Sequence, residues 1–213
     1  LKIGLPVALQ DGFIQVSFLI ISIIANRRGL SDAAAVGIVE KIIGFLFLVP
    51  SSMLSTVSAL GAQNIGAGRQ DRAVRTLRYA ILIAAGFGLC AGLAVQWLAE
   101  PVVSLFTRDP AVITAGGQYI RGYIWDCLFA GIHFCFSGYF CACGRSELSF
   151  LHNILAIFLV RIPGVALASR LFAGTLFPMG LATVFGSILS VAICLGAYRW
   201  LRRKDRAPAP AGR

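Results

Sequence analysis

The sequence predicts an all-α integral membrane protein, built as a bundle of six transmembrane helices. Its 213 residues are 58% hydrophobic and only 13% charged, and the mean hydropathy is +0.81. A soluble domain is about 45–50% apolar and about 25% charged, so a soluble fold of this size cannot cover so much apolar surface. The apolar residues also come in runs of about 20, the length that crosses a bilayer as a helix. They do not alternate with the period of two that membrane β-strands require, which excludes a barrel.

Polar connections separate the six apolar runs, which define the predicted helices in chain order: 3–26, 36–62, 77–99, 113–141, 149–172 and 176–198. The first four connections are rich in Gly, Asn, Pro and charged residues, which favour turns, and the last is a short turn near Gly174. Residues 1–200 are therefore expected to form one six-helix domain. The segment 201–213 is polar and rich in Pro and Ala, and we expect it to be a disordered cytoplasmic tail.

Small residues recur at every fourth position in two of the runs. Ala84, Gly88 and Gly92 in the third run allow a neighbouring helix backbone to approach closely in lipid. Ser51 and Ser55 begin a similar stripe in the second run. We expect both stripes to be helix-packing surfaces that carry no chemistry.

The positive charges mark the ends of the runs rather than a binding surface. The formal net charge is +10, and twelve of the 19 Lys and Arg residues lie on the side that holds both termini, against four on the other side. This bias predicts cytoplasmic termini for a multi-pass protein of the cell membrane. Basic residues do not interleave with exposed aromatic ones, so a nucleic-acid partner is excluded.

The fourth run contains a polar stripe. Six residues follow the spacing 4, 3, 4, 3, 4, which keeps side chains on one helix face: Tyr119, Tyr123, Asp126, Ala130, His133 and Ser137. An ionised Asp126 at the bilayer centre costs at least about 2.5–3.5 kcal/mol, so this face is predicted to point into the bundle or a hydrated cavity. His133 is interpreted either as a hydrogen-bonded core histidine or as part of a proton relay.

The first run has a matching stripe of polar residues with the spacing 4, 7, 4: Asp11, Gln15, Ser22 and Asn26. Two such faces favour a shared wet cavity, although ordinary hydrogen bonds between helices explain Gln15, Ser22 and Asn26 equally well. Cysteines are interpreted as buried free thiols, because none of the six lies in a Cys-x-x-Cys pair.

Three further charged or titratable positions are assigned from their place in the runs. Arg161 and Asp126 lie near the middle of consecutive antiparallel helices, so we expect them to attract each other, either as a permanent ion pair or as a functional one. Glu40 and Lys41 lie near the outer end of the second run and are predicted to pair locally at the interface. His152 starts the fifth run and is predicted to be solvated.

Two segments and one short motif resemble a known family. They are "IGLPVALQDGFIQVSFLIISIIANRRGL" at 3–30, "VEKIIGFLFLVPSSMLSTVSALGAQNIGAGRQDRA" at 39–73, and "RIP" at 161–163. In their order they resemble the second, C-terminal six-helix lobe of the multidrug and toxic compound extrusion (MATE) transporters. The resemblance implies one lobe of a two-lobe transporter, whose partner is the N-terminal lobe of the same protein. The chain begins at Leu1, which also fits a fragment of a longer protein.

The resemblance implies a function as well. Such transporters export cationic and aromatic small molecules by antiport with sodium ions or protons; no enzymatic activity and no cofactor other than the transported ion are expected. The family's cation site places carboxylates on the first and fourth helices of this lobe in some members. Carried over, it consists here of Asp126, Asp11 and Gln15, with a possible sodium ion at Asp126.

The remaining polar residues are expected to line the substrate cavity: Tyr119, Tyr123, His133, Ser137 and Arg161. Tyrosine rings there attract organic cations, and releasing the bound ion restores a negative charge that attracts the substrate. One alternative is a lipid-linked saccharide flippase of the same superfamily, which needs a basic cavity for a diphosphate; Arg121 and Arg161 are few for that role. Another is a non-transporting membrane scaffold or partner subunit, in which Asp126 is sealed from water.

Overall fold

All six predicted runs are helical in the protein's structure, which is a computed structural model. It describes residues 4–206, except the side chains of 4–8, 11 and 204–206. No strand occurs in this part of the chain. The helices, in chain order, are α1 Gly4–Asn26, α2 Leu30–Leu46, α3 Leu48–Gly66, α4 Gln70–Ser104, α5 Pro110–Tyr123, α6 Trp125–Ala142, α7 Ser146–Ala156, α8 Ile162–Leu171 and α9 Phe177–Arg206.

Six membrane crossings result, because three spans consist of two helices joined end to end. Within the described residues, five helical segments are long and apolar enough to cross a membrane: Leu30–Gly66, Gln70–Ser104, Pro110–Ala142, Ser146–Leu171 and Phe177–Arg203. The sixth crossing is α1, with the shorter apolar stretch Gly12–Asn26. α9 continues to Arg206, past the domain boundary predicted at residue 200, and residues 207–213 lie outside the described part.

Prolines account for two of the three interruptions within spans. Pro50 follows the break between α2 and α3, and it lacks the N–H that would bond to the Leu46 carbonyl. Pro163 likewise cannot bond to Leu159, and the helix widens just before it into a π-helical turn, Ile157–Arg161. The third break, at Ile124 between α5 and α6, has no proline nearby, and we have no physical explanation for it.

The stripe of small residues on α4 packs against α6, as predicted. Ala84, Gly88 and Gly92 are all buried. A Cβ added at Gly88 would lie 2.5 Å from the Cα of Leu128, so the two backbones are in direct contact there. Ser51 and Ser55 differ from the prediction, because both are exposed and line an open cleft instead of a helix contact.

Replacing Gly88 by Ala should therefore weaken the contact between α4 and α6. We expect a loss of about 1–3 kcal/mol in the free energy of unfolding, because the added methyl group forces the two backbones apart. The measurement is thermal unfolding in detergent. The matched control is Gly86→Ala on the same helix, where a Cβ meets nothing within 4 Å; an equal loss in both variants would contradict the close contact.

Arg28 joins the α1–α2 turn to the α8–α9 turn at the end of the bundle opposite the 66–70 turn. Its Nε bonds to Asp32 at 2.8 Å, and its Nη atoms donate to four backbone carbonyls at 2.8–3.2 Å: those of Ser169, Phe172, Ala173 and Thr175. Several of these carbonyls have no partner within a helix, so the guanidinium caps the end of α8. The sequence indicated only a topology charge here.

Candidate functional site

The polar stripe on α5 and α6 lies inside the bundle. The side chain of Asp126 is 1% exposed, and the other five members of the stripe are buried as well. The 4-3-4 spacing continues across the break at Ile124, so the faces of α5 and α6 stay aligned. Asp126 thus does not face the lipid, in agreement with the cost of placing a carboxylate there.

Asp126 and Arg161 form a buried ion pair, as expected from their positions in the runs. Nη2 of Arg161 lies 3.9 Å from Oδ2 of Asp126, and it also donates a hydrogen bond to the hydroxyl of Tyr123. The guanidinium carbon lies 5.2 Å from the ring centre of Phe18 and 5.7 Å from that of Tyr123. Two aromatic rings and a carboxylate therefore surround this cation.

Several polar atoms around this ion pair have no well-formed hydrogen bond to a described residue. They are both carboxylate oxygens of Asp126, Nε of Arg161 and Nδ1 of His133; Ser187 makes a weaker contact with Asp126. All three residues and Ser187 line a small cavity of about 50 Å³. We call it the Asp126 cavity. It has room for one or two water molecules, and unpaired polar groups of this kind are what buried water binds.

A much larger cavity, the cleft, opens beside it. The cleft has a volume of about 840 Å³ and lies between α1, α2, α3, α6 and α7. Its polar lining includes Gln10, Gln15, Glu40, Lys41 and Ser149. Gln15, predicted to belong to a cation site with Asp126, lies in the cleft rather than in the Asp126 cavity. The side chain of Asp11 is outside the described residues.

The position of Glu40 corrects the prediction of a local pair at the interface. α2 begins at Leu30 instead of residue 36, so Glu40 lies ten residues, or about 15 Å, along the helix. Glu40 therefore lies well inside the span Leu30–Gly66 rather than at its end. The hydroxyl of Ser22 donates to both Glu40 oxygens, at 3.3 and 3.1 Å. No ion pair joins Glu40 to Lys41 within the described residues, so the predicted pairing is wrong.

Four apolar side chains separate the cleft from the Asp126 cavity, because each of them lines both: Ile14, Phe18, Phe47 and Phe134. We call them the partition. The rings of Phe47 and Phe134 meet edge to face, with centres 6.2 Å apart. Phe47 is also the single residue between the end of α2 and the start of α3. The partition lies between the cleft and the Asp126 cavity.

One of the two histidines lies deeper than the sequence predicted. His152, predicted to be solvated, is 0% exposed and bonds to Ser137 at 2.8 Å and to Ser190 at 3.1 Å. Helices α6 and α9 cover it, and such long-range packing leaves no local signal. Its ring centre lies 5.4 Å from that of His133. His133, Ser137 and His152 thus form a polar track that begins at the Asp126 cavity.

The structure brings together part of the predicted site. Tyr123, Asp126, His133 and Arg161 converge, while Asn26 is exposed and Ser22 binds Glu40 instead. Among the described residues, no group of three or more His, Cys, Asp or Glu side chains is arranged to hold a metal ion. A sodium ion at Asp126 therefore stays a prediction.

Sequence comparison relates the chain to one family. The model of the MatE family matches residues 6–167. The chain is similar to the probable multidrug resistance protein YpnP of Bacillus subtilis, with 23% identity over 204 residues, covering 96% of this chain and 45% of that protein. It is also similar to the probable multidrug resistance protein NorM of Aromatoleum aromaticum, with 33% identity over 113 residues, covering 53% of this chain and 24% of that protein.

Structure comparison gives the same fold. A point mutant of the Vibrio cholerae MATE transporter VcmN superposes with a TM-score of 0.89 at 18% identity, covering 96% of this chain and 46% of that one. At this identity the likeness establishes the fold alone. The chain matches YpnP over nearly the whole of its own length, yet it spans only about half the length of that curated relative.

Proposed function

Because this chain belongs to the MatE family, whose members are multidrug transporters, we propose that it is the C-terminal lobe of a secondary active efflux transporter. This lobe exports cationic and aromatic compounds by antiport with sodium ions or protons, working with an N-terminal lobe. One observation carries the proposal: a buried carboxylate, Asp126, lies behind an apolar partition beside an open cleft. A multi-pass protein needs such a charge in its interior only where the charge has a task.

The proposed cation or proton site centres on Asp126, and the substrate cavity includes Tyr119, Tyr123, His133, Ser137 and Arg161. When Asp126 holds a proton or another cation, the site is neutral and a positive substrate has little reason to stay. When that ion leaves, the negative charge attracts the substrate, and the tyrosine rings add cation–π attraction.

The cleft provides the approach to this site. Gln15 lines it, and Asp11 stays a member of the proposed cation site on the sequence spacing alone. Glu40 supplies a carboxylate to the cleft from α2, whereas the resemblance implied one on the first helix. We infer that the cleft faces the N-terminal lobe, and that rocking of the two lobes exposes it to each side in turn. Cytoplasmic termini and a place in the cell membrane follow from the charge bias.

The flippase alternative fits the charges poorly. Arg121 pairs with Glu100 at 3.3 Å and is not among the residues that line the cleft or the Asp126 cavity. Arg161 already faces Asp126, which leaves Lys41 as the exposed cation of the cleft among the described residues. A diphosphate calls for several free donors, as bidentate arginines provide.

The scaffold alternative expects Asp126 to be sealed, and in this conformation it is. A transporter is sealed there in some states and open in others, so burial in one state fits both proposals. Relatives that carry multidrug resistance names favour transport.

The test is reconstitution of the complete transporter in liposomes. A sodium or a proton gradient is imposed, and accumulation of a planar fluorescent cation such as ethidium is recorded; an ionophore that collapses the gradient is the control. We expect accumulation with one of the two gradients and none after collapse. No dye movement with either gradient would contradict the proposal, and transfer of a lipid-linked sugar in the same vesicles would favour the flippase.

A further inference from the structure

The lobe already contains a cation in the place where the proposed substrate binds. The Arg161 guanidinium lies between the rings of Phe18 and Tyr123 and faces Asp126. A carboxylate flanked by aromatic faces is the usual surrounding of a bound organic cation. Here the group that fills this cage belongs to the chain itself.

The geometry is not that of a permanent structural ion pair. An optimised arginine–carboxylate pair makes two parallel hydrogen bonds at about 2.7–2.9 Å, whereas the nearest approach here is 3.9 Å. Both oxygens of Asp126 and Nε of Arg161 lack a well-formed hydrogen bond. A buried pair stabilises a fold strongly only when its geometry is close to ideal, so this 3.9 Å contact is weaker than an optimised pair.

Arg161 also lies near a second anion. Its guanidinium packs over the ring of Phe18, and Ser22, one helical turn after Phe18, bonds to Glu40. Glu40 belongs to the cleft side of the partition, where Ser22 holds it. Arg161 ends the π-helical turn that precedes Pro163, and such turns are common where helices change shape.

We propose that Arg161 is a tethered cation which occupies the substrate site in the resting lobe, and which a transported organic cation displaces from Asp126 towards Glu40. This inference rests on the proposed function. Its chemistry fits a flat, delocalised cation of the guanidinium or amidinium type, because that is the shape of the group being replaced.

The first test is chemical rescue of Arg161→Ala by guanidinium chloride at low millimolar concentration. The complete transporter is unfolded by heat in detergent, with sodium chloride at equal ionic strength as the salt control. We expect guanidinium to raise the melting temperature of Arg161→Ala by about 2 °C or more, as a ligand of the folded state does. Wild type and Arg170→Ala, a substitution of an exposed arginine nine residues after Arg161, should not respond. No response in Arg161→Ala, or an equal one in all three proteins, would overturn the proposal.

The second test uses Arg161→Lys, which keeps a positive charge and covers the case in which the alanine variant does not fold. Lysine lacks the planar fork and competes less well for the cage. With an amidinium compound as the transported substrate, we expect the concentration that gives half-maximal transport to be about threefold or more lower in Arg161→Lys than in wild type. If the arginine is purely structural, this concentration rises or does not change. The two proposals can fail separately. If wild type transports but Arg161→Ala does not respond to guanidinium, only the tethered-cation proposal is contradicted. If Arg161→Ala responds but wild type does not transport, only the antiporter proposal is contradicted.

Discussion

Replacing Asp126 by Asn should lower gradient-driven export of a cationic dye by about 100-fold or more. Asn keeps the shape but cannot carry the charge that binds the coupling ion and attracts the substrate. It also leaves the Arg161 guanidinium buried beside a neutral group, a change that typically costs about 3–5 kcal/mol. The measurement is initial export rate in vesicles that contain equal amounts of folded protein.

Two controls separate transport from stability for this variant. Glu100→Gln makes the same chemical change at the half-exposed pair with Arg121 and should leave the rate within about twofold, as surface pairs contribute little. The double variant Asp126→Asn with Arg161→Met removes both buried charges, which restores stability if the pair is structural. Recovery of transport in the double variant, or unchanged export in Asp126→Asn, would contradict a transport role for this carboxylate.

Replacing Glu40 by Gln should lower export about tenfold. Glu40 is the carboxylate of the cleft, and it attracts cations before they reach the partition. Glutamine still bonds to Ser22, so the helix contact between α1 and α2 is kept while the charge is lost. The rate is measured as above.

Glu147→Gln is the matched control for this change, because Glu147 is exposed and pairs with Arg145, two residues away. We expect no change there. Equal rates for Glu40→Gln and Glu147→Gln would show that the cleft charge takes no part in export.

Local periodicity explains why the helices and the stripe could be predicted. Six residues with 4-3-4 spacing share a face in any helix, and a mid-span carboxylate faces inward on energetic grounds alone. Asp126 and Arg161 were predicted to be neighbours because a short turn joins their spans, so their depths match. Each of these arguments needs only nearby residues.

Glu40 was misplaced because the second helix was predicted to begin only at residue 36. Ser31 and Asp32 look like the end of a polar connection, and the alanines at 33–35 were not counted in the apolar run. The signals for an earlier helix start were present: Gly29, whose φ of +138° suits glycine, precedes Leu30, and Asp32 lies in the first turn. His152 and the partition differ in kind: α6 and α9 cover His152, and the partition brings together residues of α1, the α2–α3 break and α6. No local pattern encodes that.

The central claim is that the Asp126 face, sealed here, opens to water during the cycle. Ala130 lies on that face between Asp126 and His133 and is 1% exposed, so Ala130→Cys in a cysteine-free complete transporter probes it without removing a charge. Leu98→Cys, on the outer face of α4, is the control for a position in lipid.

The measurement is reaction with a membrane-impermeant thiol reagent applied to each side in turn. We predict that Ala130→Cys reacts from one side once an ion gradient drives the transporter, that a cationic substrate slows the reaction, and that Leu98→Cys stays unreactive. A thiol at 130 that stays unreactive from both sides under both gradients would contradict the claim and would favour the scaffold.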